Sequence, residues 1–315
     1  MREREQVPQD FPQDCQELLQ TIKSILGTHL GLVKKGLVST EAEQLLIASY
    51  QMEKGEKISR LNFYTQTKKK ISPQVVKRSL QFAQLRAQGK LLQHITGFQT
   101  FLGHDYEVGP EVLIPRPETE VLLETALKVF EEQGRVPTLG LEIGLGSGIL
   151  SIELLARYSR LKMVATELQF EARALAQRNA LRILGEDAQG SLRLEILAAN
   201  QSLEVWEPFE RHQSLPRADF LISNPPYLGS LAEVDEEVWH QEPWEALFAP
   251  PEDILFFYRQ VVSRASEFIQ PGGMILMEVP HERADEIKSL FLGLKAHIEV
   301  VKDLNQRDRV LVVRA

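Results

Sequence analysis

The stretch Ser223-Asn224-Pro225-Pro226-Tyr227 carries the residues best suited to chemistry in this chain. It follows the apolar run 218–222, which reads as a buried strand, and two consecutive prolines have no N–H with which to continue a sheet ladder. The strand therefore stops at Asn224. A residue before proline is pushed towards extended backbone, so Asn224 is held at the strand's carboxyl end, where open α/β sheets place their ligands. An amide with both a carbonyl and an NH2, followed by two exposed carbonyls and an aromatic ring, suits the grip of a planar group that carries an NH2. The same five residues also suit a plain strand-terminating loop.

A second motif upstream favours the chemical reading. A predicted strand over 139–143 runs through Glu142-Ile143-Gly144-Leu145-Gly146-Ser147-Gly148 into a predicted helix over 149–158. Glycines there allow a tight turn and let a ligand approach the backbone. The spacing is Gly-x-Gly-x-Gly and not the Gly-x-Gly-x-x-Gly that seats a pyrophosphate on a helix N-terminus, which disfavours a dinucleotide and with it a nicotinamide-dependent oxidoreductase. Glu167 ends the next predicted strand, about 20 residues beyond the glycines, where a carboxylate can accept hydrogen bonds from both hydroxyls of a ribose. Glycine loop and acid together point to a nucleoside cofactor. The competing account is a structural turn followed by a strand-end acid.

The elements that must position these residues alternate along the chain. Strands are expected at 139–143, 162–166, 192–198, 218–223, 274–279, 297–301 and 310–313, and helices at 149–158, 170–184, 254–269 and 283–292, which implies a mainly parallel sheet covered on both faces. Before them a helix follows Pro115-Arg116-Pro117, with Thr119 or its neighbours as its cap, and extended pieces at 99–102 and 106–108 read as a β-hairpin. Residues 15–88 are helical in pattern: Leu18, Leu19, Ile22, Ile25 and Leu26 recur at helical spacing, a helix start is expected around Ser39-Thr40, and another helix follows Ser72-Pro73. The expected organisation is a loosely ordered tail over 1–14, a helical domain over 15–88, a hairpin linker over 89–117 and an α/β domain over 118–315.

Composition narrows the class. The 315 residues have the charged and apolar fractions of an ordinary globular protein, no apolar run approaches the roughly 18 residues that span a bilayer, and the charged start does not read as a signal peptide. A cytoplasmic protein without a membrane partner is the expectation. Cys15 is the only cysteine, which excludes an internal disulfide and a multi-cysteine metal site; no metal is expected, and His94 and His104 read as ordinary linker residues. A net charge of −8 argues against a stable nucleic-acid partner, since such affinity comes from clustered Lys and Arg; Lys68-Lys69-Lys70 reads as a solvated helix end or loop.

The combined pattern resembles the class I S-adenosylmethionine-dependent methyltransferases that act on planar amino or amide nitrogens. It is similar in particular to the release-factor glutamine N5-methyltransferases, the PrmC or HemK family. The likeness is carried by residues 114–120, Ala165-Thr166-Glu167, Arg178-Asn179-Ala180, residues 223–227, Glu242-Pro243 with Ala246-Leu247, and Asp303-Leu304 with Arg309-Val310, in that order. The resemblance implies a Rossmann-like seven-stranded domain following a small helical substrate-recognition domain, and transfer of a methyl group to the glutamine of the Gly-Gly-Gln loop of class 1 peptide-chain release factors; a monomer is expected. It implies that Asn224, Pro225, Pro226 and Tyr227 hold and flank the glutamine amide, with Arg116 and Glu118 beside the substrate. It further implies that S-adenosylmethionine meets Glu142, Gly144, Leu145, Gly146, Ser147, Gly148, Glu167, Asn200, Gln201, Asn224 and, from the hairpin, Phe101, although a hairpin core serves Phe101 equally well.

The sequence departs from the commoner family pattern in three places. Glu142 and Glu167 stand where Asp is frequent, and Asn200 stands where an Asp usually faces the adenine amino group; Asn keeps an acceptor oxygen and loses the charge assistance. Two other readings compete: an N-methyltransferase acting on an exocyclic amino group of adenine or guanine in nucleic acid, which would have to extrude the base and bind phosphates, and a catalytically silent S-adenosylmethionine-binding scaffold.

Overall fold

A computed structural model of the chain describes residues 12, 14–55, 58, 60–65, 71–185, 193–199, 204–212 and 214–314. Asn200, Gln201, Lys68-Lys69-Lys70 and nearly all of the expected tail lie outside the described residues. The chain divides into two compact units, Met1–Gly97 and Phe98–Ala315.

The first unit is helical: α1 (Cys15–Leu26), α2 (Leu30–Lys35), α3 (Val38–Lys54), α4 (Arg60–Thr65), α5 (Pro73–Ala87) and α6 (Leu92–Thr96). Asp14 caps α1, accepting from the N–H groups of Gln16 at 2.8 Å and Glu17 at 2.9 Å, and Ser72 caps α5 through Val75 N at 3.2 Å, with Pro73 in the first turn. The start expected at Ser39-Thr40 is not a side-chain cap. α3 begins at Val38 behind Leu37, which makes no capping bond, because the helix follows directly on the left-handed Gly36 that ends α2. Leu18, Ile22 and Leu26 of α1 are buried with Leu45 and Leu46 of α3 and Val75 and Val76 of α5, so the helical spacing of the apolar residues becomes the core.

Among the described residues a buried ion pair sits inside that unit. Arg86 Nε donates to Glu41 Oε2 at 2.6 Å, with the two side chains 7% and 10% exposed. Arg86→Leu therefore strands a buried carboxylate and is expected to destabilise the unit by about 3–5 kcal/mol, whereas Arg86→Leu with Glu41→Met recovers most of that loss. Chemical denaturation of the three proteins checks this; a cost below 1 kcal/mol for the single variant would count against it.

The second unit opens on an antiparallel hairpin, β1 (Phe98–Phe101) and β2 (His104–Glu107), followed by α7 (Pro117–Glu132). The α/β alternation follows: β3 (Leu139–Ile143), α8 (Ile149–Arg157), β4 (Lys162–Glu167), α9 (Phe170–Leu184), β5 (Leu194–Ala198), α10 (Glu207–Arg211), β6 (Ala218–Ser223), α11 (Glu236–Trp239), α12 (Trp244–Leu247), α13 (Phe256–Phe268), β7 (Ile269–Glu278), α14 (Ala284–Phe291), β8 (His297–Lys302) and β9 (Asp308–Arg314). The strands make a seven-stranded sheet ordered β5-β4-β3-β6-β7-β9-β8, parallel except where β9 runs against β7 and β8. All six residues of β6 are buried, as a strand covered on both faces requires. Two core layers result, one including Leu122, Leu154, Phe220 and Leu276, the other including Leu221, Tyr258, Met277 and Leu311.

β7 begins at Ile269, earlier than the expected 274, because Ile269 already pairs with Ala218 before a register irregularity. Strand order reverses between β3 and β6: the chain leaves β3 towards β4 and β5, then returns to pair β6 on the other side of β3. The carboxyl ends of those two strands are thus neighbours at a switch point, the place where such sheets bind ligands.

Candidate functional site

The glycine loop and the Asn-Pro-Pro segment leave the sheet side by side. Ser223 Oγ, at the end of β6, donates to the carbonyl of Ile143 at the end of β3 (2.8 Å), which ties the two exits together. The cleft between them opens partly to solvent and is lined from both strand exits. Its walls bring together residues from 111–119, 142–150, 166–169, 199, 224–226 and 243–246.

Gly144, Gly146 and Gly148 have φ of 78°, 54° and 87°, the left-handed region that only glycine enters without strain. Gly144 N and Leu145 N both donate to Thr166 O, at 3.1 and 3.0 Å, which curls the loop back onto the end of β4. A Cβ built on Gly144 or Gly146 meets nothing within 4 Å, so the loop's ligand side is open and the conformation, not crowding, demands glycine there.

Glu167 holds this loop. Its Oε2 accepts from Gly146 N at 2.8 Å and its Oε1 from Gln169 N at 3.0 Å. Each carboxylate oxygen has a second lone pair, so the acid keeps acceptor capacity for a ribose while the backbone fixes its orientation. Glu142 is different: it is 1% exposed and accepts from the N–H of Ser151 at 3.1 Å and from the Ser151 hydroxyl, in the first turn of α8. Burial pushes its carboxyl up to about 8, against the pull of the two Ser151 bonds, with Glu167 adding to the rise.

That shift has a consequence for stability. A carboxyl raised in the folded state contributes stability that is full below its unfolded value of 4.5 and is lost as pH rises through about 8. Glu142→Gln keeps an acceptor for Ser151 and cannot ionise. It is expected to gain on the parent by on the order of 1 kcal/mol per pH unit between pH 5.5 and 8. Parallel lines of unfolding free energy against pH for the two proteins would refute this.

Asn224 is fixed by a contact from α7. Its Nδ2 donates to Thr119 Oγ1 at 3.2 Å, and the Thr119 hydroxyl donates to Glu278 Oε2 at 2.8 Å. Of Thr119 and its neighbours, expected to cap α7, Arg116 takes the N-cap position without a side-chain bond, and Thr119 is 1% exposed inside the first turn. Glu278 ends β7 and is likewise 1% exposed; burial pushes its carboxyl up to about 7, opposed by Thr119, Arg309 and Tyr227 and reinforced by Glu118. Tyr227 OH lies 3.5 Å from Glu278 Oε1, and burial raises its phenol.

Several expected site residues are placed differently. Phe101 is 1% exposed and packs edge-on to Tyr106 with ring centroids 6.2 Å apart; it belongs to the core and not to the cleft wall, because the hairpin turns that ring inward. Gly148, Glu118 and Tyr227 are also outside the lining residues: Gly148 caps α8, Glu118 lies 4.0 Å from Arg309, and Tyr227 packs against the second core layer. Arg116 does line the cleft, paired to the buried Glu242, which also accepts from Ile114 N at 2.7 Å. Among the described residues no group of three metal-ligating side chains is present, and no helix is long and apolar enough to cross a membrane.

Other residues shared with the family pattern are ties in the scaffold. Asn179 donates to Glu107 O and to Ser147 O, both at 3.0 Å, and accepts from Glu107 N at 2.7 Å, which joins the hairpin to the glycine loop. Arg178 forks onto the Glu107 carboxylate, and Arg309 donates to Asp303 at 2.9 Å.

No family model matches the chain. Among curated proteins it is 34% identical over 231 residues to the release factor glutamine methyltransferase of Koribacter versatilis, which covers 73% of this chain and 76% of that protein. It is 32% identical over 276 residues to the release factor glutamine methyltransferase of Geobacter sulfurreducens, covering 86% and 88%. The chain belongs to the release factor glutamine methyltransferase family. The catalytic domain of hMettl16, solved in complex with MAT2A 3'UTR hairpin 1, shares the fold, with a TM-score of 0.51 at 13% identity over 74% of this chain and 80% of that one.

The family uses S-adenosylmethionine, and the cleft fits it. An open glycine loop, an oriented acid at the end of β4 and a cleft lined by both stand together at the switch point. Asn224 and Pro225 line the same cleft.

Proposed function

We propose that this protein methylates the side-chain amide nitrogen of the glutamine in the Gly-Gly-Gln loop of class 1 peptide-chain release factors, with Asn224 and the Pro225 carbonyl as the residues that hold that amide. The observation that carries the reading is the Asn224 side chain, pinned by Thr119 beside an open glycine loop. S-adenosylmethionine supplies an electrophilic methyl group on a sulfonium.

An amide nitrogen is a poor nucleophile because its lone pair is delocalised into its carbonyl. Asn224 Oδ1 and the Pro225 carbonyl each accept one N–H of the glutamine, which fixes the nitrogen and leaves its lone pair facing the methyl donor. Catalysis is then mainly positioning, which supplies rate through effective molarity. Pro226 borders the amide plane, and Tyr227, packed against the second core layer, anchors the end of the motif. No strong base is needed beforehand, since the methylated nitrogen is acidic enough to give its proton to water. Glu167 holds the ribose hydroxyls, the 144–148 loop lies against the methionine portion, and Asn200 takes the adenine amino group.

The helical residues 15–88 recognise the release factor, the hairpin region 89–117 links them to the catalytic residues 118–315, and the protein works as a monomer in the cytoplasm without a stable nucleic-acid partner. The net charge of −8 supports the last point. Transfer of label from S-adenosylmethionine to a purified release factor tests the whole reading. Label is expected with the Gly-Gly-Gln glutamine intact and none with that glutamine changed to alanine. Steep loss of substrate binding with added salt would instead favour a nucleic-acid amino group.

A further inference from the structure

Glu278 is a buried carboxylate that the reaction does not call upon. Its neighbours come from every element around it: Thr119 and Glu118 from α7, Tyr227 beyond β6, Tyr258 from α13 and Arg309 from β9. A carboxylate taken out of water is costly unless its lone pairs are used, so packing alone would favour an apolar residue at this position. Glu278 accepts from the Tyr227 hydroxyl on one oxygen, at the longer distance of 3.5 Å, and from the Thr119 hydroxyl on the other, at 2.8 Å.

That bond has a direction. An ionised carboxylate only accepts, so Thr119 must donate to it. With its proton spent, Thr119 can only accept from Asn224, 3.2 Å away. Asn224 must then turn its NH2 towards Thr119, and among the described residues nothing donates to its Oδ1. The two ends of an Asn amide are nearly equal in shape, so packing cannot choose between them; a chain of donors and acceptors can.

We propose that Thr119 and Glu278 are positioning residues that set which end of the Asn224 side chain faces the substrate, holding Oδ1 out to accept the amide N–H. The proposal rests on the methyl-transfer reading above. A reversed Asn224 would present N–H to N–H, leave both unpaired in the cleft and lose about 10- to 100-fold in rate. Protonation of Glu278 permits the reversal, because its hydroxyl can donate to Thr119, which then donates to Asn224 Oδ1.

Three variants and two readouts test this. Thr119→Val, which keeps the shape and removes the hydroxyl, is expected to lower kcat about 10- to 100-fold while KM for the release factor and Kd for S-adenosylmethionine stay within about twofold. Thr119→Ser is expected to restore kcat to within about threefold of the parent. An unimpaired Thr119→Val, or a Thr119→Ser as impaired as the valine, overturns the proposal, the second by assigning the effect to the methyl group. The second readout needs no turnover. In protein labelled with 15N-asparagine, the side-chain NH2 resonance of Asn224, assigned by its loss in Asn224→Asp, is expected to move in Thr119→Val. It is also expected to titrate near pH 7 in the parent and to stop titrating in Glu278→Gln. A resonance indifferent to Thr119→Val overturns the proposal. If the parent methylates no release factor while the resonance behaves as described, the functional reading fails and the assignment of the Asn224 orientation stands.

Discussion

Asn224→Ala is expected to lower methyl transfer to a release factor by about 10^3-fold while S-adenosylmethionine still binds, with a Kd shift below about tenfold. The rate loss follows from what the side chain is asked to do. One oriented acceptor is worth about 10^2–10^3 in rate by analogy with removing one preorganised hydrogen-bonding partner. Alanine also frees the glutamine to rotate about its amide plane, and that lost alignment adds to the effect. The binding side of the expectation rests on position along the chain: the groups that hold the cofactor in this reading follow β3, β4 and β5, whereas Asn224 follows β6. Single-turnover transfer and calorimetric titration of the same preparation separate the two. Full activity in Asn224→Ala would remove the amide grip from the mechanism, and a complete loss of cofactor binding would move Asn224 from the substrate to the cofactor.

Glu167→Gln is expected to weaken S-adenosylmethionine binding by about 100-fold, nearly as much as Glu167→Ala. Two charge-assisted bonds to a ribose account for that loss at about 1.5–3 kcal/mol each before compensation. Glutamine is not a mild substitution here because both carboxylate oxygens already accept backbone N–H groups, from Gly146 and from Gln169. Whichever way the new amide turns, its NH2 meets one of those N–H groups and the loop opens on that side. Glu167→Asp keeps the charge and is expected to bind more tightly than the glutamine variant, although the shorter side chain gives up the reach to Gly146. The order Asp, then Gln close to Ala, is the part that a purely steric role could not produce. Equal Kd values for the parent and Glu167→Gln would mean that the ribose is held elsewhere.

Both expectations grow from features legible along the chain. Prolines at 225 and 226 stop β6, so the end of that strand was fixed by the missing N–H groups alone. The alternation of apolar runs located β3, β6 and the helices that follow the glycine loop, because burial on both faces of a parallel sheet leaves a continuous apolar signature. The left-handed glycines were legible for the same local reason, since no other residue tolerates that backbone at so little cost.

The ties across the fold were not legible. Thr119 and Glu278 stand 159 positions apart, and Ile114 and Glu242 stand 128 apart. Read locally, Thr119 resembles a helix cap and Glu278 a strand-end acid, since periodicity reports which side of an element is buried and not which element lies opposite. Phe101 shows the same gap: an aromatic in a hairpin suits a ligand or a core, and the packing against Tyr106 decided for the core. The sequence by itself determined the local parts, an Asn-Pro-Pro strand end, a glycine loop and a strand-end acid, because each part depends on local backbone rules. Only the tertiary structure decided that the parts meet, by pairing β6 to β3, and that Asn224 is held by a buried acid on β7, because strand order and long-range hydrogen bonds are set by how the whole sheet closes its core.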